Sequence, residues 1–231
     1  GMIFTQAYAN AANCAPTRAC LLSGQYTPRH GLFTVGNSDR GKSEDRRLIP
    51  IENITGISLD KITIAEALKP VGYVSAAIGK WHVGNTPQKQ GFEVGMERVD
   101  VGIKNGHFNK KNGEYLTDRL TDEAVNFIKE NREKPFFLYL AHHAVHTPIQ
   151  AKDEITEKFT EKEGVGCHSQ AEYAAMIASV DESVAKINHT LDELELSENT
   201  ILIFFSDNGG HGTYTCQKPL RGGKGMYYEG G

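Results

Sequence analysis

The sequence predicts an α/β fold, a three-layer sandwich around a mostly parallel sheet, because apolar runs of strand length alternate with segments of helical periodicity. Three runs are predicted to be buried strands: Tyr73–Ile78, Phe136–Ala141 and Thr200–Phe205. Between the first and second runs, the segment Thr117–Arg132 has its apolar residues at helical spacing. Strands that are apolar throughout are typical of a parallel sheet that is covered on both faces.

Two capping boxes predict where helices begin. The first, Thr63–Glu66, opens a short helix that should end near Pro70. The second, Ser169–Glu172, opens a longer helix with one apolar face. That face is predicted to consist of Tyr173, Met176, Ile177, Val180, Val184 and Ile187. The glycine-rich segment Gln217–Gly231 is predicted to contain no regular element.

Composition excludes several classes of protein. The 231 residues include 25 Lys and Arg against 29 Asp and Glu, a net charge of −4, which argues against a protein that mainly neutralises nucleic-acid phosphates. No apolar run approaches the roughly 18 residues of a membrane span. Four cysteines without a C-x-x-C pair indicate neither a disulfide scaffold nor a structural zinc site. Gly1 ahead of Met2 is typical of a cloning scar, and one domain is expected over residues 2–231.

Ionisable or metal-binding side chains follow each predicted strand. Lys80 and His82 follow the first, His146 lies shortly after the second, and Asp207 and Asn208 follow the third. Because ligands of parallel sheets bind at the carboxyl ends of the strands, we expect these groups to converge. Lys80 and His82, two residues apart on an extended segment, should point to one side and clamp an anion, although a solvated strand end is the alternative.

The pair Asp207 and Asn208 offers two hard oxygen ligands, which suit Ca²⁺ or Mg²⁺. Asp-Asn-Gly alone is most often a turn, and that alternative stays open. Lys224 lies among glycines that let the backbone approach a ligand, and the alternative is a mobile, exposed lysine.

The segment that begins at Cys14 is predicted to be a helix, because Pro16 suits a first helical turn. Cys14 would then lie at the helix N-terminus, where the helix dipole favours an anion. Arg18, four residues later, would lie on the same face. The alternative is a small buried cysteine beside a solvated arginine.

The string Cys14-Ala-Pro-Thr-Arg18, followed by Leu22-Ser-Gly24, resembles the signature of the type I sulfatases of the alkaline-phosphatase superfamily. Further blocks resemble that family in the same order, and together they extend from about Phe4 to the last residue. These blocks are Gly72–His82, Ala144–Pro148, Ser206–Gly209, Leu220–Lys224 and Glu229–Gly231. The resemblance implies an alkaline-phosphatase-like fold, and a formylglycine made from Cys14 by a formylglycine-generating maturase.

The resemblance implies a sulfuric ester hydrolase that removes sulfate from a sulfated sugar or from an aryl or alkyl ester. Hydrated formylglycine at position 14 would attack sulfur, and His146 would protonate the departing oxygen. His82 would take the proton of the second hydroxyl group. Lys80, Lys224 and a divalent cation would hold the sulfate oxygens.

In the same resemblance, Arg18 orients position 14, and the cation, Ca²⁺ or Mg²⁺, is held by Asp207, Asn208 and the formylglycine at position 14. The partners are a sulfated small molecule or glycan and the maturase, and the location is periplasmic or extracellular. The family's N-terminal core strand, with its aspartate pair, and its C-terminal subdomain are not matched in this chain. We therefore expect weak or absent calcium binding by this chain alone, and self-association through exposed sheet edges.

Two alternatives to a sulfatase remain open on the sequence. One is a catalytically impaired fragment of a sulfatase that only binds a ligand or a partner. The other is a phosphodiester or phosphonate ester hydrolase of the same superfamily, because both kinds of substrate are tetrahedral oxyanions.

Overall fold

The computed structural model describes all 231 residues, and the chain divides into two compact units. The first unit consists of Gly1–Ile64, His82–Asn85 and Phe205–Gly231. The second unit consists of Ala65–Trp81 and Thr86–Phe204. The single domain expected over residues 2–231 stays a prediction.

The second unit contains a three-stranded parallel sheet, which confirms the predicted α/β class. Strand β1 (Val74–Gly79) lies between β2 (Val94–Met96) and β3 (Phe136–Ala141). β1 and β3 pair along their whole length, from Val74 opposite Phe136 to Gly79 opposite Ala141. Two of the three predicted strands are therefore confirmed. The short β2 was not predicted, because three residues are too few to give a periodic signal.

The chain contains six α-helices. In the first unit, α1 spans Cys14–Ser23 and α2 spans Thr27–His30. Helix α3 (Ile64–Leu68) begins at the boundary between the units. It follows Thr63 and ends before Pro70, as predicted. In the second unit, α4 (Leu116–Glu130), α5 (Asp153–Thr160) and α6 (Ala171–Glu193) follow. None of the helices combines the length and the hydropathy that a membrane span requires.

The hydrophobic core of the second unit forms where α4 packs against β1, β3 and α6. Its buried members are Ala76, Ile78, Val101, Ile103, Leu116, Leu120, Ala124, Val125, Phe127, Ile128, Ile187 and Leu191. Full burial of each large aliphatic side chain stabilises the fold by roughly 1.5–3 kcal/mol. The helical spacing predicted for residues 117–132 is therefore confirmed, and its apolar face is the one that packs on the sheet.

The start of α6 differs from the prediction. The helix begins at Ala171, its N-cap is Gln170, and no side chain caps it, so the capping box predicted from Ser169 does not form. The buried face is also displaced, because Ser183 is buried whereas Ile177 is exposed. Small hydroxyl side chains fill the interface between α6 and α4, and hydrophobic periodicity does not detect them.

The third predicted strand is wrong. Residues 201–205 form no strand, and Ile201, Ile203 and Phe204 are 88%, 79% and 71% exposed. A strand exists only where its backbone groups pair with a neighbouring strand, and the sheet ends at β3. Apolar, β-branched residues at these positions favour a strand, but without a hydrogen-bonding neighbour they do not form one.

The first unit consists mostly of turns and loops around α1 and α2. α1 ends at Gly24, whose φ of 63° is the left-handed conformation that glycine adopts at helix ends. The Asn53 side chain accepts hydrogen bonds from the backbone N–H groups of Phe33 (2.7 Å) and Thr34 (3.1 Å), which closes the long loop after α2. Gln217–Gly231 contains no helix or strand, as predicted.

Candidate catalytic site

Cys14 is the first residue of α1, as Pro16 predicted. Its side chain is buried, and its Sγ atom lies 3.2 Å from Nδ1 of His82. The first turn of a helix also presents backbone N–H groups that have no acceptor inside the helix. A polar or anionic group at position 14 is therefore surrounded by hydrogen-bonding partners and by the positive end of the helix dipole.

Arg18, one turn along α1, forms an ion pair with Asp207. Its Nε and one terminal nitrogen lie 2.9 Å and 2.7 Å from the same carboxylate oxygen, Oδ2. Arg18 is only 6% exposed, so the alternative of a solvated arginine is wrong. A charge-assisted pair with two contacts fixes both side chains, and it brings the segment after residue 205 beside α1.

Asn208 carries the feature that fits a metal ion best. Its side-chain oxygen, Oδ1, is buried and has no hydrogen-bond partner, whereas its Nδ2 donates to the carbonyl oxygen of Gly209 at 2.9 Å. Buried oxygens are almost always satisfied by a donor or a cation. The neighbouring carboxylate of Asp207 makes this an all-oxygen donor set, which suits Ca²⁺ or Mg²⁺. These residues therefore fit the predicted ion.

His82 lies in a constrained loop after β1. Its φ is +62°, in the left-handed region that residues other than glycine rarely adopt. β1 ends at Gly79, so Lys80 and His82 do not lie on the extended segment from which their common direction was predicted. The chain turns at His82 itself, and strand alternation does not apply across that turn.

The loop that carries His82 packs against residues 56 and 57. The N–H group of Ile57 donates to the carbonyl oxygen of Val83 at 2.9 Å. Gly84 has a φ of +88°, and a Cβ atom there would approach the Cα atom of Gly56 to 2.5 Å. Only a glycine allows the two backbones to lie this close, and this contact supports the position of His82 beside Cys14.

Lys224 is partly buried, unlike the exposed lysine of the alternative interpretation. The backbone N–H group of Lys224 donates to the carbonyl oxygen of Gly210 at 3.1 Å. The N–H group of Gly225 donates to the carbonyl oxygen of Ala12 at 2.8 Å. The glycine-rich segment therefore runs beside both the segment after Asn208 and the segment before α1. The first unit thus brings together Cys14, Arg18, His82, Asp207, Asn208 and the backbone of Lys224.

Lys80 and His146 belong to the second unit, after the carboxyl ends of β1 and β3. The N–H group of Lys80 donates to the carbonyl oxygen of Ala141 at 2.7 Å, so Lys80 lies beside the end of β3. Nδ1 of His146 lies 2.9 Å from the carbonyl oxygen of Thr147. Because a carbonyl only accepts, Nδ1 carries a proton in this contact. That all predicted site residues converge stays a prediction.

His142, the residue that follows β3, has a structural role. Its Nε2 lies 2.9 Å from the hydroxyl of Ser183, and the Thr121 hydroxyl donates to the same oxygen at 2.6 Å. Burial lowers the pKa of His142 to about 4, so the ring is neutral near pH 7. His142 therefore joins the end of β3 to α4 and α6.

The second free thiol, Cys20, differs from Cys14 in its surroundings. Its Sγ lies 3.3 Å from Nε2 of His30, whose Nδ1 accepts a hydrogen bond from the N–H group of Leu32 at 3.1 Å. His30 therefore donates to sulfur rather than accepting its proton. Burial raises the pKa of the Cys20 thiol and lowers the pKa of His30. Cys20 is an inert, protonated thiol.

Sequence reasoning missed one residue near these groups. His107 lies in the polar connector Gly102–Gly113, and it contacts the backbone of His146. A single histidine in such a connector gives no sequence signal for a role. The contact joins residues far apart in the chain, and it became visible only in the structure.

Comparison with known proteins finds relatives along the whole chain. The Sulfatase family model matches residues 1–231. A sulfatase of Formosa agariphila is 30% identical over all of this chain and 54% of its own length. The N-acetylgalactosamine-6-sulfatase of Canis lupus familiaris is 31% identical over all of this chain and 48% of its own. The chain thus spans about half the length of the curated relatives it matches.

A solved structure is similar to most of the chain. The crystal structure of Ps i-CgsB in complex with k-i-k-neocarrahexaose is similar with a TM-score of 0.75 and 32% sequence identity. The similarity covers 97% of this chain and 54% of that one.

Proposed function

Because the chain belongs to the sulfatase family, we propose that its protein hydrolyses a sulfate ester with position 14 as the nucleophile. The contact between Cys14 and His82 at the N-terminus of α1 supports this proposal, since Nδ1 of His82 lies 3.2 Å from Sγ of Cys14, the atom that the reacting oxygen of formylglycine would replace. One relative is named for a sulfated amino sugar, and one solved structure holds an oligosaccharide. We therefore propose a sulfated sugar as the substrate class.

The side chain at position 14 needs a hydroxyl rather than a thiol for this reaction. Formylglycine, made from Cys14 by a maturase, supplies that hydroxyl nucleophile when it is hydrated. His82 accepts and returns the proton of the position-14 side chain. Arg18 keeps Asp207 in place through their ion pair and orients position 14 from the next turn of the same helix.

Positive charge binds the sulfate group. We assign Lys80 and Lys224 to the sulfate oxygens, where they stabilise the charge that builds on these oxygens. A Ca²⁺ or Mg²⁺ ion held by Asp207, Asn208 and position 14 supplies further positive charge when it is bound. A location outside the cytoplasm, in the periplasm or the extracellular space, belongs to the same proposal.

The leaving oxygen needs a proton, and we assign this step to His146. Because its Nδ1 contacts the Thr147 carbonyl oxygen, we assign delivery of the proton to Nε2. A sugar alkoxide is a poor leaving group, so this proton matters more for a sulfated sugar than for an activated aryl sulfate.

The test uses the full-length protein co-expressed with a formylglycine-generating maturase, and it measures hydrolysis of a chromogenic aryl sulfate with added calcium. We expect Cys14→Ala to lower kcat by at least about 1,000-fold, because the nucleophile is lost. Cys20→Ala is the matched control and should retain most of the activity. Peptide mass spectrometry should find the aldehyde at position 14 and an unmodified Cys20.

Three results would contradict the proposal: an active Cys14→Ala variant, an aldehyde at position 20, or faster hydrolysis of the matching aryl phosphate. The last result would favour the phosphoester alternative. An inactive wild-type protein with a complete aldehyde at position 14 would favour the binding-only alternative.

A further inference from the structure

A buried histidine outside the proposed catalytic groups contacts the backbone of His146. His107 is 2% exposed, and its Nε2 lies 2.9 Å from the His146 carbonyl oxygen. Because that oxygen can only accept, Nε2 of His107 carries the proton. Burial lowers the pKa of His107, so its ring is neutral and Nδ1 is a bare acceptor. Nδ1 is buried and has no hydrogen-bond partner.

The same segment also holds the far end of the loop that follows His146. The N–H group of His107 donates to the side-chain oxygen of Gln150 at 2.9 Å, and the Tyr115 hydroxyl donates to the Gln150 carbonyl oxygen at 3.0 Å. The N–H group of Leu116, at the start of α4, donates to the His107 carbonyl oxygen at 2.7 Å. The loop from His146 to Gln150 is therefore tied at both ends to a segment anchored on a core helix.

The chemistry of His107 indicates what its ring contributes. A buried nitrogen without a partner costs stability, and a phenylalanine of similar shape would avoid that cost. The phenylalanine could not donate to the His146 carbonyl oxygen. The hydrogen bond at Nε2 is thus the property that distinguishes histidine from an apolar ring at this position.

We infer that His107 is a positioning residue that fixes the backbone of His146 and so sets where Nε2 of His146 delivers its proton. This inference rests on the proposed function, in which His146 protonates the leaving oxygen. Proton transfer requires the acid to lie within hydrogen-bonding distance of the oxygen, so a small displacement of the His146 backbone lowers the rate.

The inference is tested by measuring how kcat depends on the leaving group in the full-length, maturase-treated protein. His107→Phe removes the donor, whereas His107→Gln keeps an N–H group at about the reach of Nε2. For His107→Phe, we expect kcat to fall roughly 10- to 100-fold on unsubstituted phenyl sulfate but less than about threefold on 4-nitrophenyl sulfate, whose leaving group needs little protonation. KM should change less than about twofold, and His107→Gln should restore most of the lost rate.

Thr121→Val is the control for a purely structural effect. It removes a buried hydroxyl between α4 and α6 that contacts Ser183, and it should lower the thermal midpoint without changing the ratio of the two rates. If His107→Phe lowers both rates equally, or neither, the positioning role is wrong. The same holds if His107→Gln behaves like His107→Phe.

A second measurement does not depend on activity. The ring resonances of His146, assigned by their loss in His146→Gln, are recorded by NMR in labelled wild-type protein and in each variant. We expect them to shift in His107→Phe and to stay near their wild-type values in His107→Gln and Thr121→Val. Unchanged His146 resonances in His107→Phe would overturn the inference even if no sulfate ester is hydrolysed, whereas inactivity of the wild type alone contradicts only the proposed function.

Discussion

At the scale of single residues, the ion pair between Arg18 and Asp207 is the most consequential contact of the first unit. Both partners are largely removed from solvent, so each charge depends on the other for its stability. The pair also fixes the carboxylate that we assign to the cation. A change at either residue should therefore affect folding even when no metal is present.

We predict that Asp207→Asn destabilises the protein by roughly 2–4 kcal/mol, because it leaves the Arg18 charge buried without its carboxylate. Urea unfolding in the presence of EDTA measures this loss without a contribution from calcium. Arg132→Ala is the matched control, since its ion pair with Glu133 is exposed, and it should change the free energy of unfolding by less than about 0.5 kcal/mol. Equal effects of the two variants would contradict the importance assigned to the buried pair.

At the scale of elements, one polar network joins β3, α4 and α6. It consists of His142 after β3, Thr121 on α4 and Ser183 on α6. Hydroxyl groups in this helix interface hydrogen-bond to each other and to Nε2 of the histidine ring, whereas Nδ1 of His142 is buried without a hydrogen-bond partner. The network works only while the ring is neutral, because protonation would place a charge in a poorly solvated position.

This network predicts a dependence of stability on pH. The pKa of His142 is about 4 in the folded protein and near 6.5 when unfolded, so between these values the unfolded state binds a proton that the folded state does not. The free energy of unfolding should therefore fall as pH decreases from 6.5 to 4, by up to about 3 kcal/mol from this residue.

Chemical unfolding at pH 7 and at pH 4.5 compares the wild type with His142→Gln. Glutamine can still donate to Ser183 but does not titrate, so the variant should lose less stability than the wild type on acidification. His30 and His107 also have a lowered pKa, and their contributions are common to both proteins. Parallel pH dependence in the two proteins would show that His142 does not titrate as assigned.

At the scale of the whole chain, one apolar segment of the second unit is exposed. Ile201, Ile203 and Phe204 are largely exposed, and β3 has a strand partner, β1, on only one side. An edge strand and an exposed apolar segment both favour association with another chain. We therefore assign the expected self-association to this segment and to the edge of β3.

We predict that chains of residues 1–231 associate with each other, and that Ile201→Lys combined with Ile203→Lys weakens this association at least about tenfold, because charges oppose burial of the apolar segment. Sedimentation velocity over a range of concentrations measures the effect. The control is Ile49→Lys, at a position that is 96% exposed in the first unit, and it should leave association unchanged. A wild-type chain that stays monomeric at high concentration would refute the prediction.

Much of the fold and part of the site could be predicted from local sequence. The strand from Phe136 to Ala141 and the helix from Leu116 are confirmed, because continuous apolar runs and 3.6-residue spacing act within one segment. The position of Cys14 at the start of α1 follows from Pro16 in the same way. The family signature is also a property of the sequence, since it consists of residue types at fixed spacing.

Only the tertiary structure decided the remaining features. It left residues 201–205 without a strand, turned the chain at His82, paired Arg18 with Asp207 and brought His107 to the backbone of His146. Each of these outcomes depends on a backbone or side-chain partner that is distant in the chain. Local propensity determines which structures a segment favours, but the hydrogen bonds and ion pairs formed on folding select among them, and those partners are not encoded within the segment itself.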